Sequence, residues 1–329
     1  MSDKIYPVCV IGGGSAGTMA TLRVILNNDE CLFFPGSPKD KKRSRALWVR
    51  KIENIPAHFQ YKRGIEEPNA ETLKWISESE FKHNLFLQKN LGITHIKKES
   101  DLFILTDNKG QTYKAQYVIL CTGVMDVQPV IKESIETVFD YANAQTIDYC
   151  LICDGHHVLN KKTVVLGHDN GAAWVSIILH ERYSPPEFTI LTNGEKANFQ
   201  PDTQKLIDHY GIRVVETPIS DIVGEDKGKL LHGFKLSDGK TVKAQMAFVS
   251  MGMLVYNELA KMLGADCDDR GFVIGNEAGE TSIPGFYVAG DLKAKTKKQI
   301  YTAWDSAVNS ALNINLKIRT QKRNSLQKN

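Results

Sequence analysis

The 329-residue chain has no apolar run near the roughly 18–20 residues that a membrane-spanning helix needs, so no membrane span is expected. It also lacks a charged-then-apolar leader. "MSDKIYPVCVIGGG" runs directly into a strand-like segment, from which a cytoplasmic protein is expected. Cysteine is sparse: six residues are too few for a disulfide scaffold in a chain this long. There is no second C-x-x-C and no pair of histidines at zinc-site spacing, so no metal is expected. A strong charge of one sign is missing as well. The formal net charge of +3 comes partly from the tail "KIRTQKRNSLQKN", read as a solvated end, and gives no argument for nucleic acid.

What is present is ordinary for a soluble globular protein: 42% hydrophobic and 24% charged residues, enough for a sizeable core. The length predicts two domains, or one large domain with an insertion. Near the start, "YPVCVIGGGSAGTMATLRVIL" reads as a buried parallel strand, a glycine turn and a helix. Gly12, Gly14 and Gly17 keep the G-x-G-x-x-G spacing. The first allows the tight turn, the second lets a pyrophosphate approach the backbone, and the third lets helix and strand pack closely. The helix start then faces the phosphates with its amides. A ribose-binding acid is not evident, since the next strand ends "CLFFPG".

Two later segments suggest which dinucleotide. "QYVILCTGV" is a strand running into Thr122-Gly123, and "GFYVAGD" is another ending at Gly290-Asp291. A carboxylate there can hold a ribityl or sugar hydroxyl. A helix starting near Gln299 and Ile300 can aim its positive end at a flavin ring, favouring the charge gained on reduction.

"YCLICDGHH" holds the only local cysteine pair, Cys150 and Cys153. Such a pair is half a zinc site, two inert buried thiols, or a redox couple. For the last, Asp154 would move the proton that each thiol–disulfide exchange step requires. Cys9 and Cys121, in apolar runs, read as buried thiols. His156 and His157 read as surface or packing residues, with a proton relay as the alternative.

The first glycine motif, "CTG", "CDG" after the C-x-x-C, and "GFYVAGD...KQI..A" together resemble the low-molecular-weight thioredoxin reductases, in the same order over nearly the whole chain. The resemblance implies FAD held by Gly12, Gly14, Gly17, Thr122, Gly123, Gly290, Asp291, Gln299 and Ile300, with Asn54 near the ring. It implies an α/β fold of two nested Rossmann-like domains, the second inserted into the first. It implies a Cys150–Cys153 redox disulfide in which Cys153 faces the flavin, Cys150 attacks the partner's disulfide and Asp154 is the acid–base. A thioredoxin-like protein or a small-molecule disulfide is the implied substrate, and a homodimer the implied assembly.

The sequence departs from these relatives where NADPH should bind. "KKTVVLGHDNGAAWVSIILH" keeps the strand–turn–helix frame, but the middle glycine of the motif is Asp169. A carboxylate some 4 Å from a pyrophosphate charge costs roughly 1–4 kcal/mol. The following strand leads into Thr192-Asn193-Gly194-Glu195 instead of a cluster of arginines for the 2′-phosphate, with Lys196 the only base nearby. The expectation is a degenerate site and a donor other than NADPH. Arg43, Ser44 and Arg45 replace a Gly-Gly-Gln stretch. Trp48 and Trp304 are either core residues or aromatics lying over the flavin. The basic run Lys39, Lys41, Lys42, Arg43 and Arg45 is a solvated loop, or a docking patch for ferredoxin or flavodoxin as electron donor.

Domain joints are expected at "GVMDVQPV" and "SMGM", giving an FAD domain of residues 1–126 and 251–329 around an inserted domain of residues 127–250. The similar strand–turn–strand segments 101–120 and 230–249 support a duplicated architecture. Three competing functions remain: a conventional NADPH-dependent reductase, an FAD dithiol oxidase using oxygen, and a non-enzymatic redox-sensing flavoprotein.

Overall fold

The computed structural model describes residues 4–41 and 44–327. The chain divides into two compact units. One runs to Leu47 and includes Arg63–Met125 and everything from Val255. The other comprises Trp48–Lys62 and Asp126–Leu254. Each unit is an α/β assembly around a parallel sheet, the nested arrangement expected. Residues 48–62, expected with the first unit, pack with the second.

In the first unit, β1 (Ile5–Ile11), β2 (Cys31–Phe34) and β3 (Leu85–Leu87) are parallel neighbours. β6 (Thr112–Leu120) lies parallel on the other side of β1. β4 (Ile93–Glu99) and β5 (Leu102–Asp107) extend the sheet as antiparallel strands, so its order is β3-β2-β1-β6-β5-β4. The strand Phe286–Val288 pairs with the C-terminal end of β6. Val8, Cys9 and Val10 are fully buried, as a strand covered on both faces requires. Helix α1 (Ser15–Leu26) and the C-terminal helix Ile300–Leu326 cover one face. Ala16 and Ala20 share a core cluster with Ala303, Ala307 and Ala311, small side chains that let helix backbones approach.

The second unit repeats the plan. Five parallel strands run in the order Arg213–Val215, Phe188–Leu191, Thr163–Leu166, Met246–Val249 and Ile147–Asp148. The helix Asn170–Tyr183 connects the third strand of that order to the second. An antiparallel sheet of Ile219–Glu225, Leu230–Leu236 and Thr241–Lys243 flanks them. Among the described residues no helix is long and apolar enough to cross a membrane.

Candidate active site

In the first unit the glycines divide into two roles. A Cβ on Gly12 would lie 2.3 Å from the Cys121 carbonyl oxygen, and one on Gly17 would lie 1.7 Å from that of Gly12. Both glycines are needed for the turn to fold. A Cβ on Gly14 would meet nothing within 4 Å. Gly14 is the N-cap of α1, and among the described residues no side chain caps the helix. Helix amides without a side-chain cap beside open space suit a pyrophosphate, so the residues present fit a dinucleotide.

The other predicted flavin residues of this unit fall at two strand ends and one helix start. Thr122 donates its hydroxyl to the Tyr256 carbonyl at 2.7 Å, and Gly123 has a left-handed φ of +69°. Gly290 has φ +77° and donates its amide to Ser306 Oγ at 2.9 Å. A Cβ on Gly290 would stand 2.7 Å from Ala16 Cβ, so the strand end reaches α1 because this residue is glycine. Asp291 is met by Arg45 Nη1 at 3.4 Å. Gln299 caps the C-terminal helix through a reciprocal capping box with Thr302, and Ile300 is the first helical residue. Asn54 lies in 48–62 and so belongs to the second unit.

Trp48 belongs there too. It is 9% exposed and packs its ring on Phe139, centroids 3.9 Å apart, so it is a core aromatic of the second unit. Trp304 is half-buried on the C-terminal helix. Within the basic run, Arg45 turns to Asp291 and Lys39 is exposed, while Lys42 and Arg43 lie outside the described residues. Cys9 and Cys121 are buried, and burial pushes both thiols well up.

In the second unit Cys150 and Cys153 are disulfide-bonded, with Cα atoms 5.2 Å apart. Cys150 caps the turn Leu151–Asp154, and its Sγ receives the Cys153 amide at 3.1 Å. The buried Asp154 carboxylate and both sulfurs lie within 4.8 Å of one another.

A short 3₁₀ turn, Gly155–Val158, then carries the two histidines into a hydrogen-bonded chain. His157 Nδ1 contacts Asp148 Oδ2 at 2.7 Å, and its Nε2 contacts Glu53 Oε2 at 2.9 Å. His156 Nε2 reaches the same Glu53 oxygen at 3.0 Å. The hydrogen bond to Asp148 pushes the His157 imidazole up to about 9. Hydrogen bonding from His157 holds Glu53 below the usual carboxylate range. Burial pushes Asp148 up, and its imidazole partner offsets this only in part. Glu53 and Asp148 escaped the sequence reading. Their signals were slight: one acid beside Asn54, and one acid in the otherwise apolar "TIDYC".

The strand–turn–helix frame for a second nucleotide is present, with Asp169 at its N-cap. Asp169 Oδ1 accepts the Ala172 amide at 3.0 Å. In the loop where arginines were sought, Asn193 accepts the Ile219 amide and donates to the Val130 carbonyl, while Glu195 and Lys196 are exposed.

Residues 6–311 match the family described as pyridine nucleotide-disulphide oxidoreductase. A thioredoxin reductase of Mycoplasmopsis pulmonis is 25% identical over 305 residues, 92% of this chain and 94% of that protein. A 34.2 kDa protein in the rubredoxin operon of Clostridium pasteurianum is 28% identical over 314 residues, covering 94% and 96%. The solved thioredoxin reductase from Streptococcus pyogenes superposes with a TM-score of 0.80 at 20% identity, over 97% of this chain and 100% of that one.

Proposed function

Because the chain belongs to the pyridine nucleotide-disulphide oxidoreductase family, we propose that it is an FAD-dependent disulfide oxidoreductase of thioredoxin-reductase type. In this reading it reduces a thioredoxin-like protein or a small disulfide with electrons from a donor other than NADPH. The observation that carries the reading is the Cys150–Cys153 disulfide with the Asp154 carboxylate within 4.8 Å of both sulfurs. Gly12, Gly14, Gly17, Thr122, Gly123, Gly290, Asp291, Gln299 and Ile300 would hold FAD, with Asn54 assigned by resemblance alone. Bound there, FAD would supply the two-electron redox chemistry that opens the disulfide.

The protein's own groups do the rest. Cys150, hydrogen-bonded by the Cys153 amide, attacks the partner's disulfide as thiolate. Asp154 protonates the leaving sulfur, then takes the proton of the second thiol so that the enzyme disulfide re-forms.

The choice of donor rests on Asp169. Its carboxylate already occupies a helix-start amide that a pyrophosphate oxygen would need, and it sets a negative charge beside that oxygen. An acidic one-electron carrier such as ferredoxin or flavodoxin is the donor class proposed. The rubredoxin-operon relative adds rubredoxin to the candidates. The test is an anaerobic donor screen of the full FAD-loaded chain with NADPH, NADH, reduced ferredoxin, flavodoxin and rubredoxin, read by flavin absorbance. Bleaching by a protein carrier and not by NADPH is expected; bleaching by NADPH at turnover rates overturns the donor assignment.

A further inference from the structure

Opening the Cys150–Cys153 bond takes two electrons and two protons and leaves two S–H groups. A hydride donor brings one hydrogen with its electrons, whereas a one-electron protein carrier brings none. With such a carrier as reductant, both protons come from solvent. Asp154, the acid beside the sulfurs, is only 5% exposed. Each proton it gives must be replaced through the protein.

The second unit contains a route. Asp154 and Asp148 line one cavity of about 10 Å³, together with Trp48 and Gln145. Volumes of about 10–15 Å³ admit a water molecule. Trp48 Nε1, a donor, and Gln145 Oε1, an acceptor, are both buried with no hydrogen-bond partner among the described residues. Buried polar atoms are normally satisfied, so a wall offering one donor, one acceptor and two carboxyl groups is built for water. Beyond the cavity Asp148 meets His157, His157 meets Glu53, and Glu53 meets the exposed His156.

We propose that Asp148, His157 and Glu53 form a proton line that joins buried Asp154 to solvent at His156. It rests on the disulfide-reductase reading given above. When Asp154 has protonated a sulfur, the cavity water passes it a proton and takes one from Asp148. His157 Nδ1 restores Asp148 and leaves the Nε2–H imidazole; a turn of the ring brings that N–H to Asp148, and the bare nitrogen then takes a proton through Glu53 and His156. No electron moves along this line, and each hop breaks one bond to hydrogen as it makes another. Asp148, His157 and Glu53 act through Asp154 and are positioning residues. The titratable groups around the imidazole are Asp148, Glu53, Asp154 and His156, with Lys161 acting on Asp148.

The test uses the full FAD-loaded chain, photoreduced without oxygen and mixed with an aromatic disulfide. The rate at which flavin colour returns is followed against pH in light and heavy water. His157→Gln should slow that return about tenfold, less than the roughly 10²–10⁴-fold of a group that transfers the proton itself, because His157 acts through Asp154. It should also abolish the alkaline limb near pH 9, and added imidazole should restore the rate. Glu53→Gln, at a more exposed position, should move the same readouts in the same direction without threatening the fold. In wild type the His157 ring resonance should titrate near pH 9, and in Asp148→Asn at a clearly lower pH. Variants with wild-type rates and pH profiles overturn the proton line. So do slowed variants that keep the wild-type profile and ignore imidazole. If wild type fails to regain colour with the disulfide, or Cys153→Ser regains it as fast, the underlying reductase reading fails instead.

Discussion

Asp169 closes the start of the helix Asn170–Tyr183 by accepting the Ala172 amide on its own Oδ1, at 3.0 Å. In a nucleotide-binding turn that amide points at a phosphate. Here one residue acts as a helix cap and supplies the anion itself, which explains how the frame survives when a glycine is lost.

Removing the carboxylate should therefore change nucleotide binding more than stability. Asp169→Gly should cost a few tenths of a kcal/mol in thermal unfolding, because glycine is a tolerable N-cap. It should also strengthen binding of NADH and NADPH by up to about 1–4 kcal/mol, the repulsion relieved. The two nucleotides should gain alike, since Thr192–Glu195 offers no arginine for a 2′-phosphate. Asp169→Asn keeps a cap oxygen and removes the charge, so it should give a smaller gain. Calorimetric titration of the three proteins reads both effects. Identical affinities throughout would show that the carboxylate is no barrier.

Gly14 separates a ligand requirement from a folding requirement. Its φ of −74° suits any residue, and an added Cβ meets nothing within 4 Å among the described residues beyond its chain neighbours. Gly14→Ala should fold with wild-type thermal stability but purify with less flavin per protein, because the methyl fills the space reserved for the pyrophosphate. Gly17→Ala should fail to fold, given the 1.7 Å approach to the Gly12 carbonyl oxygen. A full flavin load in Gly14→Ala would place the phosphates elsewhere.

The two cysteines should differ in reactivity once reduced. Cys150 Sγ receives the Cys153 amide at 3.1 Å, and a hydrogen bond donated to sulfur favours the thiolate. Iodoacetamide at mildly acidic pH should label Cys150 before Cys153, as read by peptide mass. Cys153→Ser should trap a mixed disulfide with a thioredoxin-like partner, and Cys150→Ser should not. Faster labelling of Cys153 would reverse the assigned roles.

The fold and the cysteine pair were legible because local rules govern them. A buried parallel strand must read as "PVCVI", a tight turn onto a helix needs Gly12 and Gly17, and a C-x-x-C pair announces itself by spacing. What escaped depends on chain segments meeting at a distance. Residues 48–62 carry no pattern telling which sheet they will join, so the packing of Trp48 on Phe139 was open. Glu53 reaches His157 across 104 positions, and no periodicity links residues so far apart. The relay role of His157, kept as the alternative to a packing histidine, gained its argument only when Asp148 and Glu53 were seen on either side of the ring.

That ring makes a prediction about stability. The folded His157 sits at about 9 against an ordinary 6.5, raised chiefly by Asp148. A group with a raised folded value contributes fully below the unfolded value and loses that contribution as pH rises through the folded one. The contribution should thus be full near pH 6, fall as pH rises from 6.5 to about 9, and be lost above that. The shift alone would be worth about 3 kcal/mol, but burial of the Asp148 carboxylate opposes it, leaving about 1–2 kcal/mol. Lys298 works in the other direction: burial pulls its amine down to about 8, so its contribution improves as pH rises. The informative quantity is therefore the difference between wild type and Asp148→Asn. Urea unfolding near pH 6 and near pH 10 should show wild type losing more than the variant by about 1–2 kcal/mol. Equal losses would mean that the buried carboxylate does not hold His157 charged.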